Sequence, residues 1–322
     1  DIAADLDTPV SAYLKLKPFR PRFLLESVEG GERLARYSFI GFGDCMEYRL
    51  DAAGLTVNGV REPRPADQAQ LLASLRQALA RSPRPDVTQA GFPLLGGLVG
   101  AASYDLVRYF ERLPSRARVE ADVPDAHYVA PRSVLAFDHL TRRAALLHAG
   151  PEQERLALRR EVIQALRGGL PGPVRATKFG PAAASLSEES FLQNVARTKE
   201  YIASGDVYQL VLSVCFAGRC DMDPFEAYRA LRLLNPSPYM YFCELGDRVI
   251  VGSSPEALVK LEGSDLHLKV DCPPHVRVKG SLRPLNRGPI DDDEMERLLL
   301  PMMNERNRKI FDDTGGADFA HG

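Results

Sequence analysis

Two short runs carry side chains that could do chemistry. One ends in a glutamate, Gly252-Ser253-Ser254-Pro255-Glu256; the other opens on a glutamine, Gln209-Leu210-Val211-Leu212-Ser213-Val214-Cys215-Phe216. A carboxyl group at a strand end acts as a general acid when burial raises its pKa, because a low dielectric disfavours the charged form. It serves equally as a solvated or capping residue. In the second run, alternation sets Leu210, Leu212, Val214 and Phe216 on one face and Gln209, Val211, Ser213 and Cys215 on the other. A Gln and a Ser there point to a face lining a polar cavity, or to a capped sheet face whose amide is satisfied. Other chemistries lack their residues. There is no GxGxxG, GxxxxGK(S/T) or GxSxG, and the glycine-rich Gly91–Gly100 has the wrong spacing and no lysine. Cys45, Cys215, Cys220, Cys243 and Cys272 form no CxxC, and the histidines form no HxH or HExxH, so no zinc site is expected. The thiols read as reduced and buried.

Composition narrows the class. The chain has 322 residues, 45% hydrophobic and 26% charged, with a formal net charge of −2. At roughly 100–200 residues per domain this suggests two domains. The charge gives no footprint for nucleic acid. No apolar run approaches the roughly 18 residues of a membrane span, and the acidic start, Asp1-Ile2-Ala3-Ala4-Asp5, has no signal-peptide character, so a cytoplasmic protein is expected.

The elements that must position these residues are strands punctuated by helices. Arg36–Gly41 and Ser133–Phe137 read as strands. Leu71, Leu72, Leu75 and Leu79 predict a helix over 66–81; Leu156, Leu158, Val162 and Leu166 predict another over 152–166, stopped by Gly168-Gly169. Residues 168–184 read as a linker between an N-terminal domain, 1–167, and a second domain, 185–322. The second domain opens on the capping-box pattern Ser185-Leu186-Ser187-Glu188, with Leu192, Val195 and Ile202 on one side of the helix that follows. A short helix over 224–233 precedes paired strands 238–243 and 249–251 around Gly246-Asp247; a hairpin of 257–261 with 266–270 follows. The end of the chain reads as unstructured. Antiparallel strands predominate.

Taken together, the ordered segments resemble component I of anthranilate synthase, within the chorismate-utilising enzyme family. They are Leu6–Leu14, Phe23-Leu24-Leu25-Glu26-Ser27, Arg36–Gly41, Gly96–Gly100, Tyr104–Arg108, Glu111–Pro114, Gly205–Ser213, Asn235–Met240 and Gly252–Glu256, spread over most of residues 5–270. The resemblance implies an α/β (α+β) fold of antiparallel sheets packed face to face with helices outside. It implies conversion of chorismate and ammonia to anthranilate and pyruvate, with Mg2+, the ammonia coming from a glutamine amidotransferase partner (component II). No nucleic-acid or membrane partner is implied. Glu256 matches the general acid that protonates the departing C4 hydroxyl. Relatives that add water carry a basic lysine where Gln209 stands; a neutral amide takes no proton at pH 7, and ammonia needs no such base. Leu25, Glu26 and Ser27, with Pro238, Tyr239 and Met240, match the site for tryptophan as feedback inhibitor. A carboxylate and a hydroxyl suit an ammonium, and Pro, Tyr and Met suit an indole.

Beyond Val270 the match departs. The family's Pro-Ile-Ala-Gly-Thr-Arg run has only a loose echo in Arg277–Arg283, where Lys279, Gly280 and Ser281 stand as substrate-binding candidates. A Lys before Gly is the pattern of the related aminodeoxychorismate synthases. Arg308 falls where the family has a Mg2+-binding glutamate, and a cation cannot hold that ion. The second domain is therefore expected to be incomplete after about residue 270, and the alternatives are an aminodeoxychorismate synthase or a tryptophan-binding remnant without catalysis.

Overall fold

A computed structural model of the chain describes residues 2–28, 36–85, 92–113, 123–172, 177–207, 209–255, 266–267, 275–278, 281–284 and 291. Strand β1 (Ile2–Ala3) precedes helix α1 (Pro9–Lys15). Thr8 starts the helix: its Oγ1 accepts from Ser11 N at 3.1 Å while Ser11 Oγ accepts from Thr8 N at 3.0 Å, and Pro9 occupies a position whose N–H would be unused. β2 (Pro21–Glu26) and the long β3 (Tyr37–Asp51) follow, then the hairpin β4 (Gly54–Val57) and β5 (Val60–Glu62). Helix α2 (Gln68–Arg81) realises the Leu71/Leu75 stripe, capped by Asp67 Oδ1 accepting from Gln70 N. β6 (Val99–Ala102), β7 (Ala126–Asp138), β8 (Arg143–His148) and α3 (Glu152–Leu166) complete the first stretch.

β9 (Ala183–Ala184), α4 (Glu188–Ala203), β10 (Phe216–Ala217), α5 (Pro224–Leu234), β11 (Tyr239–Leu245) and β12 (Arg248–Ser254) follow. The cap of α4 is Ser187, whose Oγ accepts from Ser190 N; the expected cap, Ser185, instead accepts from Cys215 N. Ten strands form one antiparallel sheet whose main path is β1-β8-β7-β3-β2-β11-β12. The fold class is thus mixed α/β with a large antiparallel sheet, as expected.

The sheet buries both faces. On one, α1, α3 and α5 cover Leu24, Ile40, Phe42, Met240 and Phe242, and the ring of Tyr13 stacks on Phe225 at 4.2 Å. On the other, Phe23, Phe39, Val129, Val134 and Cys243 pack together. Each fully buried side chain of this kind contributes about 1.5–3 kcal/mol of transfer free energy. Burial in this apolar layer raises the Cys243 thiol to about 12, so it stays protonated.

The chain divides into two units, Asp1–Glu256 and Ala257–Gly322. Residues 168–184, expected as a linker, lie within the first unit, because β11 and β12 beyond them belong to the same sheet as β2 and β3. In the second unit β13 (Leu266–His267), β14 (His275–Val278) and β15 (Ser281–Pro284) form an antiparallel sheet. Leu266 pairs with Val276; the expected partner segment 257–261 and the chain end lie outside the described residues. Among the described residues no helix is long and apolar enough to cross a membrane.

The strand expected over 209–216 does not form. Only Phe216–Ala217 is extended in a ladder, against Ala183–Ala184. Strand propensity is realised only through a hydrogen-bonding ladder; among the described residues no strand pairs with 209–214, and Cys215 bonds only to Ser185, next to the short β9–β10 ladder. Val211 is accordingly 81% exposed.

Candidate functional site

The register of four strands builds an apolar concavity. Phe39, Leu25, Tyr241 and Gly252 stand directly across from one another on β3, β2, β11 and β12. Side chains opposite in register share a face, so this row makes one continuous floor. Gly252 is required at its end. A Cβ there would lie 2.0 Å from the Tyr241 ring, which occupies the space above the glycine.

Above the floor is a cavity of about 390 Å³, lined by Leu25, Glu26, Ser27, Tyr37 and Phe39 from β2, β3 and their flanks. Pro238, Tyr239, Met240 and Tyr241 line it from the start of β11, and Pro93 and Leu94 from a loop. Tyr37 is held by an edge contact with Phe92 at 5.6 Å and by the Arg36 guanidinium 4.8 Å from its ring centroid. The motifs 25–27 and 238–240, more than 200 residues apart, meet because β2 pairs with β11: Met240 opposes Glu26 and Val28 N donates to Ser237 O. The volume and the aromatic walls suit a flat apolar group of the size of a bicyclic ring.

Alternation gives the two motif strands a second face. Glu26 and Met240 belong to the row Ser38–Glu26–Met240–Ser253. Met240 is in the core beneath α1 and α5. The buried Glu26 carboxylate accepts hydrogen bonds from Tyr228 Oη, from Arg232 Nε at 3.0 Å and from Arg232 Nη2 at 3.3 Å, both donors on α5. Burial, then the neighbouring Glu26 charge, raises the Tyr228 phenol well above its ordinary range, so it remains a donor. Among the described lining residues the one carboxylate, Glu26, is therefore already neutralised by an arginine.

Sequence reasoning named Leu25, Glu26, Ser27, Pro238, Tyr239 and Met240, and the fold brings these together. It did not name Tyr37, Phe39, Tyr241, Pro93 or Leu94. Alternation along β3 and β11 carried the signal for Phe39 and Tyr241, the cross-strand neighbours of Leu25. Nothing periodic marks the loop residues.

The remaining candidates are not assembled. Gln209 is exposed and outside any strand. Glu256, Lys279 and Gly280 lie outside the described residues; Ser281 opens β15 opposite Val278. β12 ends at Ser254, and Ser253 Oγ donates to Asn235 O at 2.7 Å, tying the approach to Glu256 to the C-terminal cap of α5. No group of three or more His, Cys, Asp or Glu that could hold a metal occurs among the described residues, so they do not provide a Mg2+ site and no step is assigned through that ion.

Comparison with known proteins places this architecture. The sequence is 41% identical over 81% of the chain to anthranilate synthase component 1 of Thermus thermophilus, covering 56% of that protein. It is 37% identical over 92% of the chain to the protein of the same name from Acinetobacter calcoaceticus, covering 62% of it. The chain thus spans about three fifths of the length of these curated relatives. A crystal structure of anthranilate synthase component I from Streptococcus pneumoniae matches the fold over 98% of the chain and 67% of that protein, with a TM-score of 0.57 at 21% identity. The sequence pattern of the chorismate binding enzymes matches residues 20–270, which hold β2 through β13 and both motifs of the cavity; the chain belongs to the chorismate binding enzyme family.

Proposed function

We propose that the chain is the large subunit of an anthranilate synthase, or a part of one, acting in the first step of tryptophan biosynthesis and inhibited by tryptophan. The carrying observation is the cavity that β2–β11 pairing builds from 25–27 and 238–240. The names of the most similar relatives support the same reading.

In this reading chorismate and ammonia give anthranilate, pyruvate and water. Ammonia adds at ring C2, the C4 hydroxyl leaves, and the enolpyruvyl group is then lost as pyruvate. Hydroxide is a poor leaving group, so a general acid must protonate it, and Glu256 is assigned that role. Gln209 is a neutral amide at the position where a lysine base would serve water. Lys279, Gly280 and Ser281 are the candidates for holding chorismate. The resemblance implies Mg2+ as cofactor, and none of the described residues is assigned to hold it. A glutamine amidotransferase subunit supplies the ammonia.

In the regulatory site the Tyr37, Phe39, Tyr239 and Tyr241 rings receive the indole, and Ser27 offers its hydroxyl to the amino-acid end. Anthranilate fluorescence tests the reading: the chain is mixed with chorismate, Mg2+ and excess ammonium, with and without tryptophan. The chain contains no Trp, so protein background is low. Product that tryptophan suppresses is the expected result. Absence of both product and saturable tryptophan binding in a folded, monodisperse sample overturns it.

A further inference from the structure

Resting on the tryptophan-site reading, we infer that Tyr228 and Arg232 are positioning residues that fasten the cavity wall to α5, so that occupancy of the cavity is transmitted through α5 and the Asn235–Ser253 contact to the end of β12.

Glu26 sits between two lining residues, Leu25 and Ser27, yet its carboxylate is spent on α5, where one oxygen receives both Tyr228 Oη and Arg232 Nε. A carboxylate so bound cannot shift without moving the helix. Asn235 caps the C-terminus of α5: its N–H is bound to Leu231 O, and its carbonyl accepts from Ser253 Oγ. The next turn of chain, Pro236–Pro238, runs back into the cavity wall. A ligand on Ser27 or Pro238 therefore bears on both ends of the short loop 235–238, through Glu26 and α5 at one end and directly at the other. β12 closes the circuit, since Tyr239 opposes Ser254 and Met240 opposes Ser253, two and three residues before Glu256. Two sites are coupled when one element's position is biased by both, and α5 is that element here.

The experiment uses this chain, L-tryptophan, calorimetric titration and hydrogen exchange of the 248–254 peptide. Wild type is expected to bind saturably and to gain exchange protection over 248–254 when loaded. Arg232→Gln should weaken binding at least tenfold; Arg232→Lys, which keeps the charge but loses the fork, should recover only part of it. Tyr228→Phe should weaken binding by less. Ser253→Ala, which removes one hydroxyl, should bind within twofold of wild type but lose most of the ligand-induced protection. Tryptophan binding by Arg232→Gln within twofold of wild type, or undiminished protection in Ser253→Ala, overturns the inference while leaving the site in place. Absence of binding by folded wild type removes the site itself, and the inference with it.

Discussion

The ends of β2 and β11 and the stretch 209–216 have much the same apolar, β-rich composition and opposite fates. In the first region every strand has neighbours on both sides: β2 lies between β3 and β11, and β11 between β2 and β12. Leu24 is fully buried and Phe242 only 2% exposed. In the second, Leu210 and Val211 stand in water and no ladder forms before Phe216. The apolar stripe of α4 is equally uncovered, with Leu192 at 59% exposure. Alternation thus records an intention to be buried, and pairing decides whether it is met.

The contrast can be broken at its strongest point. Phe242→Ala opens a hole among Tyr13, Phe225 and Tyr228 and is expected to cost about 3–5 kcal/mol, read as a lowered midpoint in chemical denaturation. Gly252→Ala drives a methyl into the Tyr241 ring; we expect a loss of about 1–3 kcal/mol together with loss of tryptophan binding, seen by calorimetry. Unchanged binding there would mean that the floor row does not shape the cavity.

A third test sharpens the contrast through pH. Burial is the main cause holding His127 and His139 below the ordinary value of 6.5. Glu47 and Asp247 oppose that shift at His127, while Arg49 and Arg22 add to it. Glu26 and Asp138 oppose it at His139, and Arg232 adds to it. A folded state that binds these protons less readily than the unfolded chain gains stability above the unfolded value and loses it as pH falls toward the depressed folded one. The thermal midpoint is expected to fall on acidification from about pH 7 to pH 5, and His127→Leu to flatten that slope. The smallest effect belongs to the other region: Val211→Thr is expected to change stability by less than about 0.5 kcal/mol, and a larger loss would show that this stretch is packed in solution.

Much of this was legible in the residues. Leucine stripes marked the helices expected over 66–81 and 152–166 and found at Gln68–Arg81 and Glu152–Leu166, and the short helix expected over 224–233 is found at Pro224–Leu234. Gly246-Asp247 marked the β11–β12 hairpin. The motifs 25–27 and 238–240 were visible as motifs. Three things were not. Ser185 and Ser187 are both competent caps, and only the partner at Cys215 N decided between them. The placement of 168–184 inside the first unit depends on where later strands pair, which composition does not encode. The charge on Glu26 is obvious from its type, but that Tyr228 and Arg232 consume it is not.

By itself, then, the sequence determined the family and the two cavity motifs through the resemblance of its ordered segments, and the helices and the strand-rich mixed class through local periodicity and residue type. Only the tertiary structure decided that 25–27 meets 238–240, that Gly252 makes room for Tyr241, that 209–214 joins no ladder, and that Glu26 faces α5 rather than lying free. The meeting of the motifs and the facing of Glu26 are set by register between segments distant in the chain, where one residue's slip exchanges the two faces of a strand.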